Sequence, residues 1–430
     1  MDLSVIWFRR DLRLQDNAAL HFALKSGKAV LPLFIFDTDI LQHLKADDAR
    51  VTFIHQRLQE LNQELNKLGS SLLVKHGKPI DVWRDILTNY SIQSVFCNRD
   101  YEPYAIQRDQ DIKRLLQSRK IDFNQYKDHV IFEQDQVIKE NGDPYTVYTP
   151  YSKRWLQRFH EIEIETFDCQ SYQDNFLKNS SNKVPDLADI AFTASSIKRP
   201  QLKLDDTLKS YDKTRDFPSL DSTSKLGIDL RFGTISVRSA VSFAEKSNET
   251  FLKELIWREF FIQILYHFPQ VQKQSFKAKY DRIPWLNDRN DFERWCQGRT
   301  GFPMVDAGMR ELNATGYMHN RVRMITASFL CKHLLIDWRW GERYFAEKLF
   351  DYELASNNGN WQWAAGTGCD AAPYFRVFNP SEQLKKFDPD LKYIRKWIPE
   401  FDSLDYPQPM IDHKFARNRA LEVYKQALAD

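Results

Sequence analysis

The hydrophobic pattern changes once along the chain, and this change limits the folds open to it. In the first 130 residues, short apolar runs at 3–8, 30–36, 71–76 and 94–99 alternate with amphipathic helical segments. The runs are rich in β-branched and aromatic residues and end in polar ones, which is typical of buried strands. Strands and helices in alternation predict a Rossmann-like, doubly wound parallel sheet.

The helix ends in this region carry specific signals. The segment from Asp48 to Leu68 has apolar residues at helical spacing and stops at Gly69, which suits a left-handed cap. Pro79 fits the first turn of the next helix. These signals place two of the helices that cover the sheet.

The second half of the chain has a different pattern. From about residue 171 to 204 the composition shifts to Ser, Asn, Lys and Asp with weak periodicity, as expected of a long surface connector. After it the pattern is helical almost to the end. The sequence therefore predicts an α/β domain over 1–130, a connector over 131–204 and an all-helical domain over 205–430.

Composition excludes several classes of protein. The net charge of +2 gives no global basic field, so a nucleic-acid site would have to be a local patch. The five cysteines are far apart and form no CxxC pair, which fits reduced thiols and indicates neither a disulfide nor a metal site. The start lacks a signal-peptide pattern, and no apolar run reaches the roughly 18 residues of a membrane span. We expect a cytoplasmic protein without a membrane segment.

One familiar motif is misleading. Gly366, Gly368 and Ala371 match GxGxxG/A, but they lie deep in the helical half with no strand before them. No GxxxxGK[ST], HExxH or nucleophile motif occurs in the chain. The patterns therefore favour neither nicotinamide, ATP nor hydrolytic chemistry.

Two helical segments carry unusual faces. Glu254, Trp257, Arg258 and Phe261 fall at i, i+3, i+4 and i+7, so one face combines an acid, an indole and a guanidinium. Asn320, Arg323 and Met324 share a face in the same way. An apolar core face would contain no such groups. The alternative for each one is a solvated or paired charge beside packed aromatics.

Together these segments resemble one family, the DNA photolyases and cryptochromes, which are light-driven flavoproteins. The matching stretches read, in order, WFRRDLRLQDN, YTVYTPY, YDKTRDFP, TSKL, LRFGTIS, ELIWREFF, GRTGFPMVDAGMREL, MHNRVRMITASFL, NNGNWQWAAGTGCDAAPYFRVFNP and YPQPMIDH. They cover essentially the whole chain. The architecture of the family, an α/β domain joined by a long connector to a helical flavin domain, is the one that the periodicity predicts.

The resemblance implies a folded FAD in the helical domain. The implied contacts are Tyr211, Thr223, Ser224 and Leu226 around its phosphates, and Arg323, Asp351, Glu353 and Asn357 around its ring and sugar. Asn357 would lie against the central ring, where a neutral amide favours the reduced flavin. The family often has Ser at Gly227, Trp at Phe251 and Asp at Glu353, so the resemblance leaves the exact phosphate, flavin-edge and sugar contacts open.

The resemblance also implies a substrate pocket for a pyrimidine dimer that is flipped out of DNA. Its lining would be Glu254, Trp257, Asn320, Met324 and Trp363. In the family mechanism, excited FADH⁻ donates an electron to the dimer, the cyclobutane bonds break and the electron returns. The partner would be ultraviolet-damaged DNA, bound by a monomer, with Arg215, Arg258 and Arg321 near its phosphates.

A row of tryptophans matches the chain that carries electrons to the flavin in this family. Its members here would be Trp285, Trp338 and Trp361; the alternative is that they only pack the core. Trp361 and Trp363 are two residues apart, so on a helix they should point nearly opposite ways. Trp361 would belong to the electron chain and Trp363 to the substrate pocket.

Residue identities separate the branches of the family. The (6-4) photolyases carry histidines where Asn320 and Met324 stand, and plant cryptochromes typically have Val, Tyr and Asp at Met324, Trp363 and Asn357. The DASH branch usually has serine at His319. The resemblance is therefore closest to class I cyclobutane pyrimidine dimer photolyases, with a blue-light receptor as the main alternative.

A second pigment is common in the family. The segment 98–109 lies where relatives bind a light-harvesting antenna, and Glu102 is the candidate ligand. Methenyltetrahydrofolate, 8-hydroxy-deazaflavin, another pigment and an empty site all remain open, and the segment can equally be an ordinary loop and helix start.

Overall fold

The computed structural model describes residues 3–179 and 181–429, which form two compact units. The first unit comprises the described residues of Met1–Gln136, Gln157–Arg199 and Leu226–Lys246. The second comprises those of Val137–Leu156, Pro200–Lys225 and Ser247–Asp430. The two units are thus interleaved along the chain.

The first unit contains a five-stranded parallel sheet in the order β3-β2-β1-β4-β5. The strands are β1 Leu3–Phe8, β2 Ala29–Asp37, β3 Leu73–Gly77, β4 Ile92–Asn98 and β5 Asp122–Tyr126. Every residue of β1 is buried, as expected of the central strand. The predicted Rossmann-like sheet is therefore present.

Eighteen α-helices are found among the described residues. They are α1 Ala18–Lys25, α2 Thr38–Leu41, α3 Ala49–Lys67, α4 Pro79–Asn89, α5 Pro103–Ser118, α6 Tyr148–Glu161, α7 Tyr211–Thr214, α8 Gly227–Phe232, α9 Val237–Ser247, α10 Glu249–His267, α11 Arg289–Cys296, α12 Pro303–Thr315, α13 Asn320–Ser328, α14 Trp338–Lys348, α15 Leu354–Ala365, α16 Pro380–Phe387, α17 Lys392–Trp397 and α18 His413–Leu428. Helix α13 continues as one π-helical turn, Phe329–His333. No helix in the described ranges is long and apolar enough to cross a membrane.

The capping signals correspond to real helix ends. Asp48 is the N-cap of α3 and its side chain accepts a hydrogen bond from the backbone N–H of Arg50. Gly69 follows α3 with a φ of 74°, and α4 begins at Pro79. The sequence missed β5, because its letters DFNQY contain no apolar run and it occupies a half-buried edge.

The division of the chain differs from the sequential domains that the sequence predicts. Residues 226–246 belong to the first unit, where Arg238 of α9 pairs with Asp16 and, at 2.7 Å, with Asp128. Although burial opposes ionisation, Arg13 and Arg238 lower the pKa of Asp128 to about 2. A buried acid between two guanidiniums explains why a segment distant in sequence is held there.

Helix α15 is the central element of the second unit. A Cβ added at Gly359 of α15 would overlap the ring of Phe261 on α10, and one added at Gly341 of α14 would overlap the ring of Trp361. The glycines therefore allow α10 and α14 to approach α15 closely. On a third face, the buried amides of Asn358 and Gln362 both donate to the carbonyl of Val271, at 2.9 and 3.0 Å.

Gly341→Ala should force the ring of Trp361 out of its place. Overpacking of this kind costs roughly 1–3 kcal/mol of unfolding free energy, measurable by denaturant titration. In a Trp361→Phe background the smaller ring should relieve most of that cost. Equal costs in both backgrounds would show that the overlap with Trp361 is not the cause.

Candidate active site

A cavity of about 810 Å³ opens in the second unit between α10, α13 and α15. We call it the Trp257 cavity; its lining is Arg215, Glu254, Trp257, Arg258, Phe261, Asn320, Met324, Ser356, Asn360 and Trp363. All four members of the predicted α10 face are in this lining. So are the five residues that the resemblance assigned to the substrate pocket.

A second cavity of about 570 Å³ adjoins the first. We call it the Arg323 cavity; its lining includes Arg323, Phe345, Asp351, Glu353, Asn357 and Trp361. The two cavities share Asn320, Met324, Ser356, Asn360 and Trp363 as lining residues. Groups bound in the two cavities would therefore be close neighbours, separated by few side chains.

Glu254 is the acid in the Trp257 cavity. Burial raises its pKa, and an ion pair with Arg215 partly opposes that rise. A carboxyl group with a raised pKa retains its proton to higher pH than an exposed glutamate does. Glu254 can therefore act as a hydrogen-bond donor to a polar ligand in this cavity.

Arg323 and Asp351 form an ion pair in the wall of the Arg323 cavity, with 2.8 Å between Nη2 and Oδ2. The other oxygen of Asp351, Oδ1, is buried and has no hydrogen-bond partner among the described residues. A buried acceptor without a partner is costly, so its position on the cavity wall indicates a donor on a bound ligand.

Asn357 is oriented by a residue that the sequence did not single out. Its Nδ2 donates to both the backbone carbonyl of Glu342, at 3.0 Å, and the side-chain Oε1, at 2.9 Å. Both amide hydrogens are thus engaged, which leaves Oδ1 as the group available to a ligand. Glu342 lies one residue beyond Gly341 on α14, and no pattern in the sequence links it to Asn357.

Two of the residues predicted to surround the phosphates, Thr223 and Ser224, stand next to a lysine. Thr223 and Ser224 are in the second unit, where Lys225 donates to the hydroxyl of Thr223 at 2.8 Å. Lys225 also lies over the ring of Tyr317, 4.4 Å from its centroid. This ammonium was not predicted, yet it places a cation beside the hydroxyls expected to meet phosphate.

Two other predicted flavin contacts have packing partners. Tyr211 meets Phe251 edge to face, with 5.3 Å between ring centroids. Leu226 is buried as the N-cap of α8 and belongs to the first unit.

The three predicted electron carriers belong to one part of the second unit. Trp338 and Trp361 are buried in one core cluster, and Trp285, which is half-buried, packs against the same cluster and meets Tyr424 at 5.9 Å. No ring pair within the described chain joins the three directly. The tryptophan ring nearest to Trp361 among its ring pairs is Trp295, at 6.2 Å, which the sequence did not suggest.

The arginines predicted to meet DNA phosphates are all paired with acids. Arg215 pairs with Glu254, Arg321 pairs with Asp216 at 2.6 Å, and Arg258 pairs with Glu353 at 2.9 Å. The Arg258 side chain is only 12% exposed. Its pairing with Glu353 gives no support to a phosphate contact at Arg258, while Arg215 and Arg321 remain more accessible.

The first unit has its own cavity, of about 810 Å³. It lies at the carboxyl ends of β1, β2 and β4, where open parallel sheets bind ligands. Glu102 is in its wall and accepts from Arg10 at 2.9 Å and Arg231 at 2.8 Å. The candidate antenna ligand thus lies at the cavity but is already bound to two guanidiniums.

Comparison with known proteins assigns the chain to a family. A family model described as DNA photolyase matches residues 4–170, and one described as the FAD binding domain of DNA photolyase matches residues 251–405. The deoxyribodipyrimidine photo-lyase of Agrobacterium fabrum is 36% identical, over 98% of this chain and 97% of that protein. The chain belongs to the DNA photolyase family. The match to residues 251–405 confirms the prediction that the second half of the chain binds FAD.

Solved structures confirm the predicted fold class. A bacterial class III photolyase from Agrobacterium tumefaciens has a TM-score of 0.89 at 33% identity, with 100% of this chain and 98% of that chain covered. An archaeal photolyase from Sulfolobus tokodaii with two FAD molecules scores 0.85 at 34% identity, with coverages of 99% and 100%. A cryptochrome from Synechocystis scores 0.86 at 27% identity, with coverages of 98% and 99%. The assignment to class I photolyases stays a prediction.

Asp351→Asn should reduce the FAD content of the purified protein. The amide keeps the shape of the carboxylate but removes its charge, so Arg323 loses its ionic partner in the cavity wall. The unfolding free energy should fall by roughly 1–3 kcal/mol. Asp402→Asn is the matched control, because it breaks an exposed pair with Arg395 that contributes about 0–1 kcal/mol. Unchanged FAD content in Asp351→Asn would contradict the placement of the cofactor in the Arg323 cavity.

Proposed function

We propose that this chain splits cyclobutane pyrimidine dimers in ultraviolet-damaged DNA, using light absorbed by its flavin. The proposal rests on one observation: the two cavities adjoin and have five lining residues in common. The Trp257 cavity offers two indoles and an acid to a pair of bases, and the Arg323 cavity next to it offers the groups expected around a flavin. The deoxyribodipyrimidine photo-lyases that resemble this chain support the same reaction.

The residues of the Arg323 cavity fit FAD. The free Oδ1 of Asp351 can accept from a ring N–H, Asn357 presents its Oδ1, and Arg323 balances the negative charge of Asp351. FAD, when bound in reduced form and excited by light, supplies the electron that opens the dimer and takes it back afterwards. The chain itself holds the two partners together, which is the protein's contribution to cofactor chemistry.

In the Trp257 cavity, Trp257 and Trp363 supply flat apolar surfaces for the bases of the dimer. Flipping a lesion out of the duplex costs less than flipping a normal pair, since damage has already weakened its stacking. Stacking on aromatic side chains offsets the cost that remains. Asn320 and Met324, which line both cavities, would lie between the dimer and the flavin.

Glu254 would hydrogen-bond the polar edge of the bases. In the structure its carboxyl group is paired with Arg215, and both groups line the cavity. A DNA phosphate near the cavity mouth can compete for Arg215 and free Glu254 for the base edge. Because burial raises the pKa of Glu254, its protonated form is the one suited to donate to a base carbonyl.

A blue-light receptor is the second candidate function. The similarity to the Synechocystis cryptochrome favours it, since that structure covers 98% of this chain. The identities of Met324, Trp363 and Asn357 favour repair instead, because all three belong to the cavity walls and match the repair enzymes in the resemblance. We therefore place repair first.

The cavity of the first unit would hold an antenna pigment such as methenyltetrahydrofolate or 8-hydroxy-deazaflavin. Its wall combines Trp7, Phe34 and Phe36 with the guanidiniums of Arg9, Arg10 and Arg231, which suits a flat ring with an anionic group. Glu102 would act by holding Arg10 and Arg231 in place. Action as a monomer and a cytoplasmic location remain predictions from the sequence.

The test of the proposal is illumination of the reduced protein with dimer-containing DNA while the lesion is followed by chromatography. Wild type should remove the dimer. Glu254→Ala should lower the yield roughly tenfold at neutral pH, the effect of losing one hydrogen bond to a charged or strongly polar group. Its FAD content should stay unchanged, because Glu254 lines only the Trp257 cavity.

The pH dependence of repair shows whether Glu254 acts through its carboxyl proton or only through the shape of its side chain. Wild-type repair should decline as pH rises through the raised pKa of Glu254, since the donor is then lost. Glu254→Gln keeps an N–H donor at every pH and should show no decline in that range. Intact flavin photoreduction without loss of the dimer in wild type would refute the repair function and favour the receptor.

Trp361→Phe should slow photoreduction of oxidised flavin while leaving repair by chemically reduced protein largely intact. The expectation follows from the place of Trp361 in the wall of the Arg323 cavity, where it is nearest to the predicted flavin site of the three carriers. Trp397→Phe, on α17 outside both cavities, serves as the control. Flavin absorbance under steady blue light is the measurement, and equal rates for both variants would show that electrons take a different route.

A further inference from the structure

Tyr148 stacks on Trp257 in the second unit. The ring centroids are 3.6 Å apart and the planes differ by only 6°, which is a parallel, face-to-face contact. Tyr148 is the first residue of α6 and lies far from α10 in sequence. Neither the helical face of α10 nor the spacing of the aromatic residues predicts this contact.

The ring of Tyr148 is fixed at several points. Its hydroxyl donates to the backbone carbonyl of Lys253 at 2.9 Å, one turn before Trp257 on α10. Its backbone N–H donates to Oδ2 of Asp370 at 2.8 Å. Its ring edge meets Phe260 at 5.9 Å. The tyrosine is therefore held at its tip, its backbone and its side.

These contacts restrict the side-chain conformation of Trp257 before any ligand binds. Tyr148 covers one face of the indole, while Phe260 and Phe261 meet it at 5.7 and 5.4 Å. Trp257 nevertheless lines the cavity, so the part of the indole left uncovered is directed there. A side chain ordered in advance loses less entropy on binding, which raises affinity without a new contact.

The phenol of Tyr148 remains neutral at working pH. Burial, and then the nearby carboxylate of Glu254, raise its pKa above the ordinary range. The hydroxyl therefore stays protonated and donates its hydrogen bond to the backbone carbonyl of Lys253. The support that it gives to Trp257 should not change with pH in the range where the protein is folded.

We propose that Tyr148 is a positioning residue that holds Trp257 as a preformed stacking wall for a flipped-out base. The inference rests on the proposed function, since it assigns Tyr148 a role in binding the dimer. Tyr148 does not line either cavity, so it acts through Trp257 rather than on the substrate.

The test measures the dissociation constant for a dimer-containing oligonucleotide and the repair yield per bound dimer. Tyr148→Ala should weaken binding by about three- to tenfold, the usual effect of one aromatic pair. The repair yield at saturation and the FAD content should match wild type. Tyr148→Phe keeps the ring and should restore binding to within about twofold.

Tyr145→Ala is the matched control, because Tyr145 meets Tyr151 rather than Trp257. A double-mutant cycle gives the decisive readout. In a Trp257→Ala background, Tyr148→Ala should change binding no further, since its only route to the dimer has been removed. An equal loss in both backgrounds would overturn the proposal, as would a Tyr148→Phe variant as weak as Tyr148→Ala.

Failure of the positioning role and failure of the repair function would give different results. If wild type and Tyr145→Ala bind and split the dimer but Tyr148→Ala binds as tightly as they do, only the positioning role is wrong. If wild type neither binds nor splits the dimer, the repair function is wrong and the role of Tyr148 is rejected with it. Loss of FAD from Tyr148→Ala and Tyr148→Phe alike would show a general structural role instead.

Discussion

The close approach of α10 and α14 to α15 is the constraint on which the rest of the site depends. Gly359 lets the ring of Phe261 on α10 reach the backbone of α15, and Gly341 of α14 leaves room for the ring of Trp361. Because these contacts prevent α15 from rotating about its axis, they also fix the direction in which its other side chains point. Asn358 and Gln362 bind the carbonyl of Val271, while Trp363 is left to line the Trp257 cavity. The small residues and amides around the two tryptophans therefore allow Trp361 to be buried against the wall of the Arg323 cavity while Trp363 lines both cavities.

Charge around the cavities is organised in pairs. Arg215 binds Glu254, Arg258 binds Glu353 and Arg323 binds Asp351. An unpaired charge in a partly buried site costs folding free energy. Because each charge here has a partner of opposite sign, the cavity walls can contain charged groups without destabilising the fold. The pairs also differ in what they leave open. Asp351 keeps one buried oxygen without a hydrogen-bond partner among the described residues. Under the proposed function, the Arg215–Glu254 pair would be exchanged for contacts with a phosphate and a base edge.

Local signals predicted most of the fold. Three of the four apolar runs became β1, β2 and β4, because central strands of a parallel sheet must be apolar on both faces. The fourth became the edge strand β3, whereas the other edge strand, β5, was missed because its letters contain no apolar run. The face of α10 was predictable, since helical spacing alone brings Glu254 and Trp257 together. The sequence did not predict the contacts of Tyr148 and Glu342, because their partners, Trp257 and Asn357, are distant in sequence. It did not predict the contact of Lys225 with Thr223 either, because this contact depends on a bend of the chain. The place of Arg238 in the first unit depends on Asp16 and Asp128, which no periodicity connects to it.

Under the proposed function, a dimer flipped out of the DNA helix enters the Trp257 cavity, next to the cavity for the flavin. A crystal structure of the reduced protein with a short duplex carrying one cyclobutane dimer, grown in the dark, would locate the dimer. We expect it to lie outside the duplex, with its bases against Trp257 and Trp363 and a polar edge within hydrogen-bond distance of Glu254. A dimer still stacked in the duplex, with the Trp257 cavity free of nucleic acid, would contradict it.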